Sequence, residues 1–181
     1  LVLDGSRRAI PRLLEVRGEV LIPKAALDEF NQERKERGET QLANPRNATA
    51  GAIRRNDPKE VARYPLEFHL YSAPRVEGPD PFKTHTEMIA ALGDWGLPDS
   101  GLGRRVQGLE ACLAYHGEME AGRTALAFDV DGVVCKLDSI ELRERLGTTS
   151  RTTRWQYAQK FKAEVAVTTL RAIEVQVGVS G

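Results

Sequence analysis

Lysines and carboxylates set into apolar runs are the first sign of chemistry in this chain. Phe128-Asp129-Val130-Asp131-Gly132-Val133-Val134-Cys135-Lys136 places Lys136 on the same strand face as Val134. A lysine partly sunk among apolar neighbours needs an anionic partner. Lys160 stands in a second strand-like stretch, Trp155 to Phe161. Two strand lysines and an acidic residue could converge on one phosphate ester, where positioning and charge neutralisation dominate the chemistry. The plainer reading of Asp131-Gly132 is a hairpin turn.

Two further stretches carry unusual residues. In Asn44-Pro45-Arg46-Asn47-Ala48-Thr49-Ala50-Gly51-Ala52-Ile53-Arg54-Arg55, Asn-Pro marks a turn and the small residues allow a closely packed helix start. Its free N–H groups suit a phosphate, and Arg46 and Arg54 can each offer a bidentate fork. The alternative is a capped helix with surface arginines. In Arg17-Gly18-Glu19 a glycine interrupts an alternating run. Such a glycine often marks close approach by a ligand or another backbone. Glu19 is then an acceptor on a pocket floor, or simply a solvent-facing residue.

These residues must be held by a small mixed fold. The 181 residues carry 26 Lys+Arg against 26 Asp+Glu, and 41% are hydrophobic. That is enough apolar material for a core and excludes a wholly disordered chain. No apolar run approaches the roughly 18 residues a membrane span needs. Cys112 and Cys135 cannot make a disulfide framework or a four-ligand zinc site, so a reducing, cytoplasmic setting is the default. Basic residues outnumber acidic ones between Arg34 and Arg63 and again between Arg143 and Lys162. A nucleic-acid partner therefore stays open despite the zero net charge.

The coarse pattern alternates strands and helices. Leu14, Val16, Val20 and Ile22 share one strand face, with Glu15, Arg17 and Glu19 on the other. Pro23 opens a helix that Gly38 closes, with Leu27 and Phe30 on its buried side. Leu66, Phe68 and Leu70 point inward from another strand, and Ala73 to Pro81 reads as a long surface loop. Helices are expected at about Thr86 to Trp95 and Leu109 to Ala121, the second with Cys112 on a buried face. Ala125 to Leu137 reads as strand interrupted at Asp131-Gly132. Ser139 caps a short helix ending at Gly147. Trp155 to Phe161 and Ile173 to Val177 are further strands. His69, His85 and His116 are isolated and read as structural or surface residues. The order is irregular, so the fold class is α+β with largely antiparallel sheets. The chain starts at Leu1 and stops just after an apolar run, so the expectation is a fragment truncated at both ends.

Asp129-Val130-Asp131-Gly132 resembles the nucleophile motif of haloacid-dehalogenase phosphatases. That family also needs a downstream acidic pair for magnesium, and none follows here. A second resemblance uses every unusual stretch. LLEVRGEVLIP (13–23), LANPRNATAGAIRR (42–55), AFDVDGVVCKLD (127–138), RWQYAQKF (154–161) and IEVQVGVSG (173–181) occur in this order. Together they resemble the adenylation domain of bacterial NAD-dependent DNA ligase, and NPRNATAG is the most specific piece.

That resemblance implies a nucleotidyltransferase (ATP-grasp-like) fold over 1–172 and the start of an OB-fold domain over 173–181. It implies nick sealing through enzyme-adenylate and DNA-adenylate intermediates, and places in DNA replication and repair. Nicked double-stranded DNA and NAD are the implied partners, with magnesium, and with zinc only in a downstream domain. No membrane is involved, and a monomer is expected. Glu19 matches a carboxylate that accepts from the nucleotide. Lys136 and Lys160 match lysines on the α-phosphate. Arg46, Arg54 and Arg123 match arginines near the phosphates or the nicked strand, with Arg46 and Arg123 on the cofactor and Arg46 and Arg54 on DNA. Asp131 matches a residue that assists magnesium, through water. The family nucleophile is a lysine in K-x-D-G; here Val2-Leu3-Asp4-Gly5 has Val2 at that place, and it lies too close to Ile10-Pro11 to be that motif. Gln159, Lys162, Val179 and Ser180 also depart from the family pattern. The alternative function is a degenerate nicked-DNA-binding module without catalysis.

Overall fold

A computed structural model describes residues 3–78, 82–163 and 165–175. The longest structure is an antiparallel pair, β1 (Leu13–Leu21) and β2 (Glu67–Glu77). On β1 the aliphatic residues alternate inward and Glu15, Arg17 and Glu19 outward, as the period-2 pattern requires. The register slips twice. Gly18 faces Leu70 while Arg17 faces Ser72, so Tyr71 is an extra residue in the ladder. A second slip falls between Arg17/Ser72 and Glu15/Arg75.

The slips explain β2's irregular pattern. Phe68 and Leu70 pack inward before them, Ala73 and Val76 after. They also correct the expected loop at Ala73 to Pro81: Ala73–Glu77 is strand. Pro74 is tolerated there because a proline fits where the ladder is already broken. The rest of that expected loop, 79–81, lies outside the described residues.

One helix closes the inner face. α4 (His85–Asp94) starts at a capping box, with the Thr84 hydroxyl and the Glu87 carboxylate each accepting from the other's backbone. It buries Met88, Ala91 and Leu92, and Leu92, Trp95, Leu97 and Leu70 form the main core. At the other end of β1, Ile22 is buried with Leu27 of α1 (Lys24–Glu36) and Ala48 of α2 (Pro45–Ile53). α1 begins after Pro23 and ends before Gly38, whose φ is +71°. α2 is capped by Asn44, whose side chain accepts from the Asn47 N–H. The small residues Ala48, Thr49 and Ala52 are its buried side. A short α3 (Pro58–Val61), absent from the sequence reading, follows.

The second half is thinner. α5 (Gly108–Gly122) leads through a 3-10 turn (Arg123–Ala125) to β3 (Gly132–Lys136). α6 (Ile140–Leu146) and β4 (Gln156–Lys160) complete it. β3 and β4 pair antiparallel, from Gly132↔Lys160 to Lys136↔Gln156. Three expectations change here. The strand begins only at Gly132, so Asp131-Gly132 is not a hairpin turn. α5 contains no fully buried residue, and Cys112 and Cys135 are only half-buried. Ile173 to Val175, read as strand, is unpaired and exposed, because no neighbouring strand lies beside it among the described residues. Gln176 and Val177 lie outside the described residues. The fold is thus α+β with two small antiparallel pairs.

Candidate functional site

Two glycines set the spacing of the site, and each meets a backbone. A Cβ on Gly18 would stand 2.5 Å from the His69 carbonyl oxygen and 2.6 Å from the Phe68 ring. A Cβ on Gly132 would stand 2.5 Å from the Gln159 carbonyl oxygen and 2.9 Å from Lys160 Cα. Of the two partners a strand glycine can admit, both here admit a neighbouring strand.

The register slip at Tyr71 has a chemical result. Freed from regular pairing, the Tyr71 carbonyl accepts from Lys136 Nζ at 3.1 Å, and the ammonium sits 5.0 Å from the Tyr71 ring centre. The polar face of β1–β2 thereby meets the end of β3. Glu19 lies on that face, opposite His69, whose ring packs edge-on to Phe128 at 5.3 Å. Phe128 is held in turn by α1: the Lys24 N–H donates to the Ala127 carbonyl at 2.7 Å, and Lys24 Nζ pairs with Asp129 at 3.2 Å.

A second cluster forms at the opposite end of β3. Lys160 Nζ donates to Asp131 Oδ1 at 2.8 Å. That bond holds the Asp131 carboxyl below its usual range; slight burial opposes it, and the charges of Lys160 and Arg46 add to the lowering. Arg46, on the exposed side of α2, therefore faces the same place. Arg54 is the exposed C-cap of that helix. Arg123 donates to the Lys162 carbonyl at 3.3 Å and lies 6.0 Å from the Phe161 ring centre.

Lys136 and Lys160 share one face of the β3–β4 pair but do not meet. They sit four rungs apart, since Lys160 pairs with Gly132. At about 3.3 Å per residue that is roughly 13 Å along the strand. Their ammoniums also have different partners, the Tyr71 carbonyl for Lys136 and the Asp131 carboxylate for Lys160.

Burial acts on Lys136 directly. It pulls the amine down from its usual range to about 8, with the Arg143 charge as the second cause. Among the described residues no carboxylate lies within ion-pairing distance of it. Asp138, two residues on, is committed elsewhere. Its carboxylate accepts from the Thr86 N–H and hydroxyl at 3.0 and 2.9 Å and lies 2.9 Å from Arg105 Nε. A half-buried ammonium with only a carbonyl and a ring for partners is ready for an anion or a lone pair. Three residues near it had no sequence signal. Tyr71 is placed by a bulge, and His85 and Arg143 reach the site from separate helices.

Among the described residues no group of three or more His, Cys, Asp or Glu converges to hold a metal. No helix among them is long and apolar enough to cross a membrane.

The chain is similar to known proteins over nearly its whole length. A family model described as "NAD-dependent DNA ligase adenylation domain" matches residues 3–164. The DNA ligase of Saccharophagus degradans is 44% identical over 181 residues, 100% of this chain and 27% of that protein. The DNA ligase of Magnetococcus marinus is 46% identical over 171 residues, 94% of this chain and 22% of that protein. That of Geobacter sulfurreducens is 46% identical over 171 residues, 94% of this chain and 25% of that protein. The chain thus spans about a quarter of the length of the curated relatives it matches.

Proposed function

Since the chain belongs to the NAD-dependent DNA ligase adenylation domain family, we propose that it forms the adenylate-handling part of a ligase that seals nicks in duplex DNA. In this reading residues 1–172 have the nucleotidyltransferase, ATP-grasp-like architecture, and 173–181 lead into an OB-fold. The protein works in the cytoplasm, in DNA replication and repair. The observation that carries the reading is the cationic face of β3–β4, bounded by Tyr71 and Lys136 at one end and by Lys160, Asp131 and Arg46 at the other.

NAD is the adenylate donor. A lysine nitrogen bonds to the α-phosphorus, and the pyrophosphate P–O bond breaks to release nicotinamide mononucleotide. An oxygen of a DNA 5′-phosphate then bonds to that phosphorus as its bond to the lysine nitrogen breaks, which frees the lysine. The 3′-hydroxyl finally displaces AMP as the phosphodiester forms. This sequence contains no K-x-D-G lysine, so the first nucleophile is not among its residues.

What the chain contributes is positioning and charge. Lys160 and Arg46, at one end, neutralise the α-phosphate as charge shifts between its oxygens. Lys136 donates to the nucleotide at the other end, beside the Tyr71 ring. Glu19, on the facing strand, accepts from the ribose hydroxyls. Arg54 and the exposed side of Arg46 meet the DNA backbone, and Arg123 supports the phosphate end. Magnesium would enter with the phosphates, and Asp131 would assist it through water. The phosphatase reading is set aside: Asp129, its nucleophile, pairs with Lys24, and the family is a ligase family.

The test is a titration of the chain with AMP and with NAD, followed by amide NMR. Shifts confined to the strands around Glu19, Tyr71, Lys136 and Lys160 are expected. Salt-dependent binding of nicked DNA with no nucleotide response would establish the binding-only alternative instead.

A further inference from the structure

Lys136 is one of three basic side chains gathered at the end of β3, and the function proposed above gives the other two, His85 and Arg143, no role. Arg143 projects from α6, a helix started by Ser139, whose hydroxyl accepts from the Leu142 N–H. The Arg143 guanidinium carbon lies 4.4 Å from the Trp155 ring centre. Its Nε donates to the Leu137 carbonyl, and its Nη1 lies 3.5 Å from His85 Nδ1. Its Nη2 is buried without a hydrogen-bond partner. Leu137 is fixed on both sides, because its own N–H donates to the Trp155 carbonyl at 2.9 Å. The residue after Lys136 is thus closed by one ring, one guanidinium and one backbone bond.

We propose that Arg143, clamped between the Trp155 ring and the Leu137 carbonyl, is a positioning residue for Lys136, which it holds toward Tyr71 and toward an incoming nucleotide. The nucleotide part rests on the function proposed above; the positioning part does not.

The charges around Lys136 all favour this role. Arg143 faces it from α6 and His85 from α4. Tyr71 meets it from β2 with a neutral carbonyl and ring. Among the described residues the acid on the same segment is Asp138, two positions on, and Thr86 and Arg105 engage its carboxylate. Burial, then the charges of Lys136 and Arg143, drive the His85 imidazole down to about 4, against the pull of Asp138. His85 is therefore neutral at pH 7 and can accept from Arg143. The lysine is left facing a fixed like charge and no available carboxylate. An anion entering beside Tyr71 relieves that repulsion, which a simple packing role for Arg143 would not arrange.

The experiment measures the pH dependence of Lys136 acylation in this chain, read by peptide mass mapping. Arg143→Gln keeps a planar polar tip and removes the charge. It should raise the labelling midpoint by about one pH unit. Arg143→Lys keeps a charge and should leave the midpoint near the parental value. An unchanged midpoint in folded Arg143→Gln overturns the proposal. Trp155→Leu is the second variant if Arg143→Gln fails to fold. It unseats the guanidinium and should also raise the midpoint, and an unchanged midpoint there overturns the proposal equally. AMP binding at pH 7 should weaken about tenfold in Arg143→Gln. A shifted midpoint with no AMP binding by the parental chain would keep the positioning role and overturn the nucleotide reading.

Discussion

The two antiparallel pairs use their faces differently. β1–β2 presses one face onto α4, where Leu92 and Ala91 are wholly buried and Trp95 nearly so. β3–β4 leaves Val134 52% and Tyr157 67% exposed. The first pair is a stiff wall with a polar outer face. The second is a lightly packed strip whose outer chemistry is cationic. A site between them combines rigidity on one side with a partly dehydrated, unpaired lysine on the other. The contrast places the buried core and the candidate site's two lysines in different strands.

The largest test of that contrast is core truncation. Leu92→Ala should cost about 2–5 kcal/mol in urea unfolding. Val134→Ala should stay within about 0.5 kcal/mol, as surface changes usually do. Equal losses at both positions would remove the distinction. Gly18→Ala comes next. Its methyl has no room against the His69 carbonyl and the Phe68 ring, and overpacking of this kind costs about 1–3 kcal/mol. The same unfolding curves measure it.

The smallest effect is electrostatic. His85 titrates near 4 in the fold and at its ordinary 6.5 when unfolded. The unfolded chain therefore binds the extra proton between those values, and stability falls as pH drops from about 6.5 toward 4. After allowance for partial exposure the loss is about 1–2 kcal/mol. His85→Gln should flatten that slope in melts taken across this pH range.

Much of this was legible beforehand, and the rest was hidden for physical reasons. Strong periodicity and caps gave β1, α1, α4 and the Ser139-capped α6 almost to the residue. Gly18 was read as a close-approach glycine, and another backbone does approach it. The loop expected at Ala73 failed because proline ordinarily ends strands, and a bulge made room for it. The same bulge turned the Tyr71 carbonyl toward Lys136, which no local pattern announces. His85 and Arg143 were invisible as site residues because their meeting depends on how α4 and α6 pack. Lys136 and Lys160 were read as able to converge on one phosphate; the register places them on one face, four rungs apart, each ammonium on its own partner.

In the proposed function Lys136, on the lightly packed pair, acts on the nucleotide rather than holding the fold or the DNA. The most direct measurement is nick sealing and nicked-DNA binding by the ligase containing this chain, with and without Lys136→Ala. Sealing should fall by about two orders of magnitude in the variant, with DNA affinity little changed. Sealing at the parental rate would contradict it.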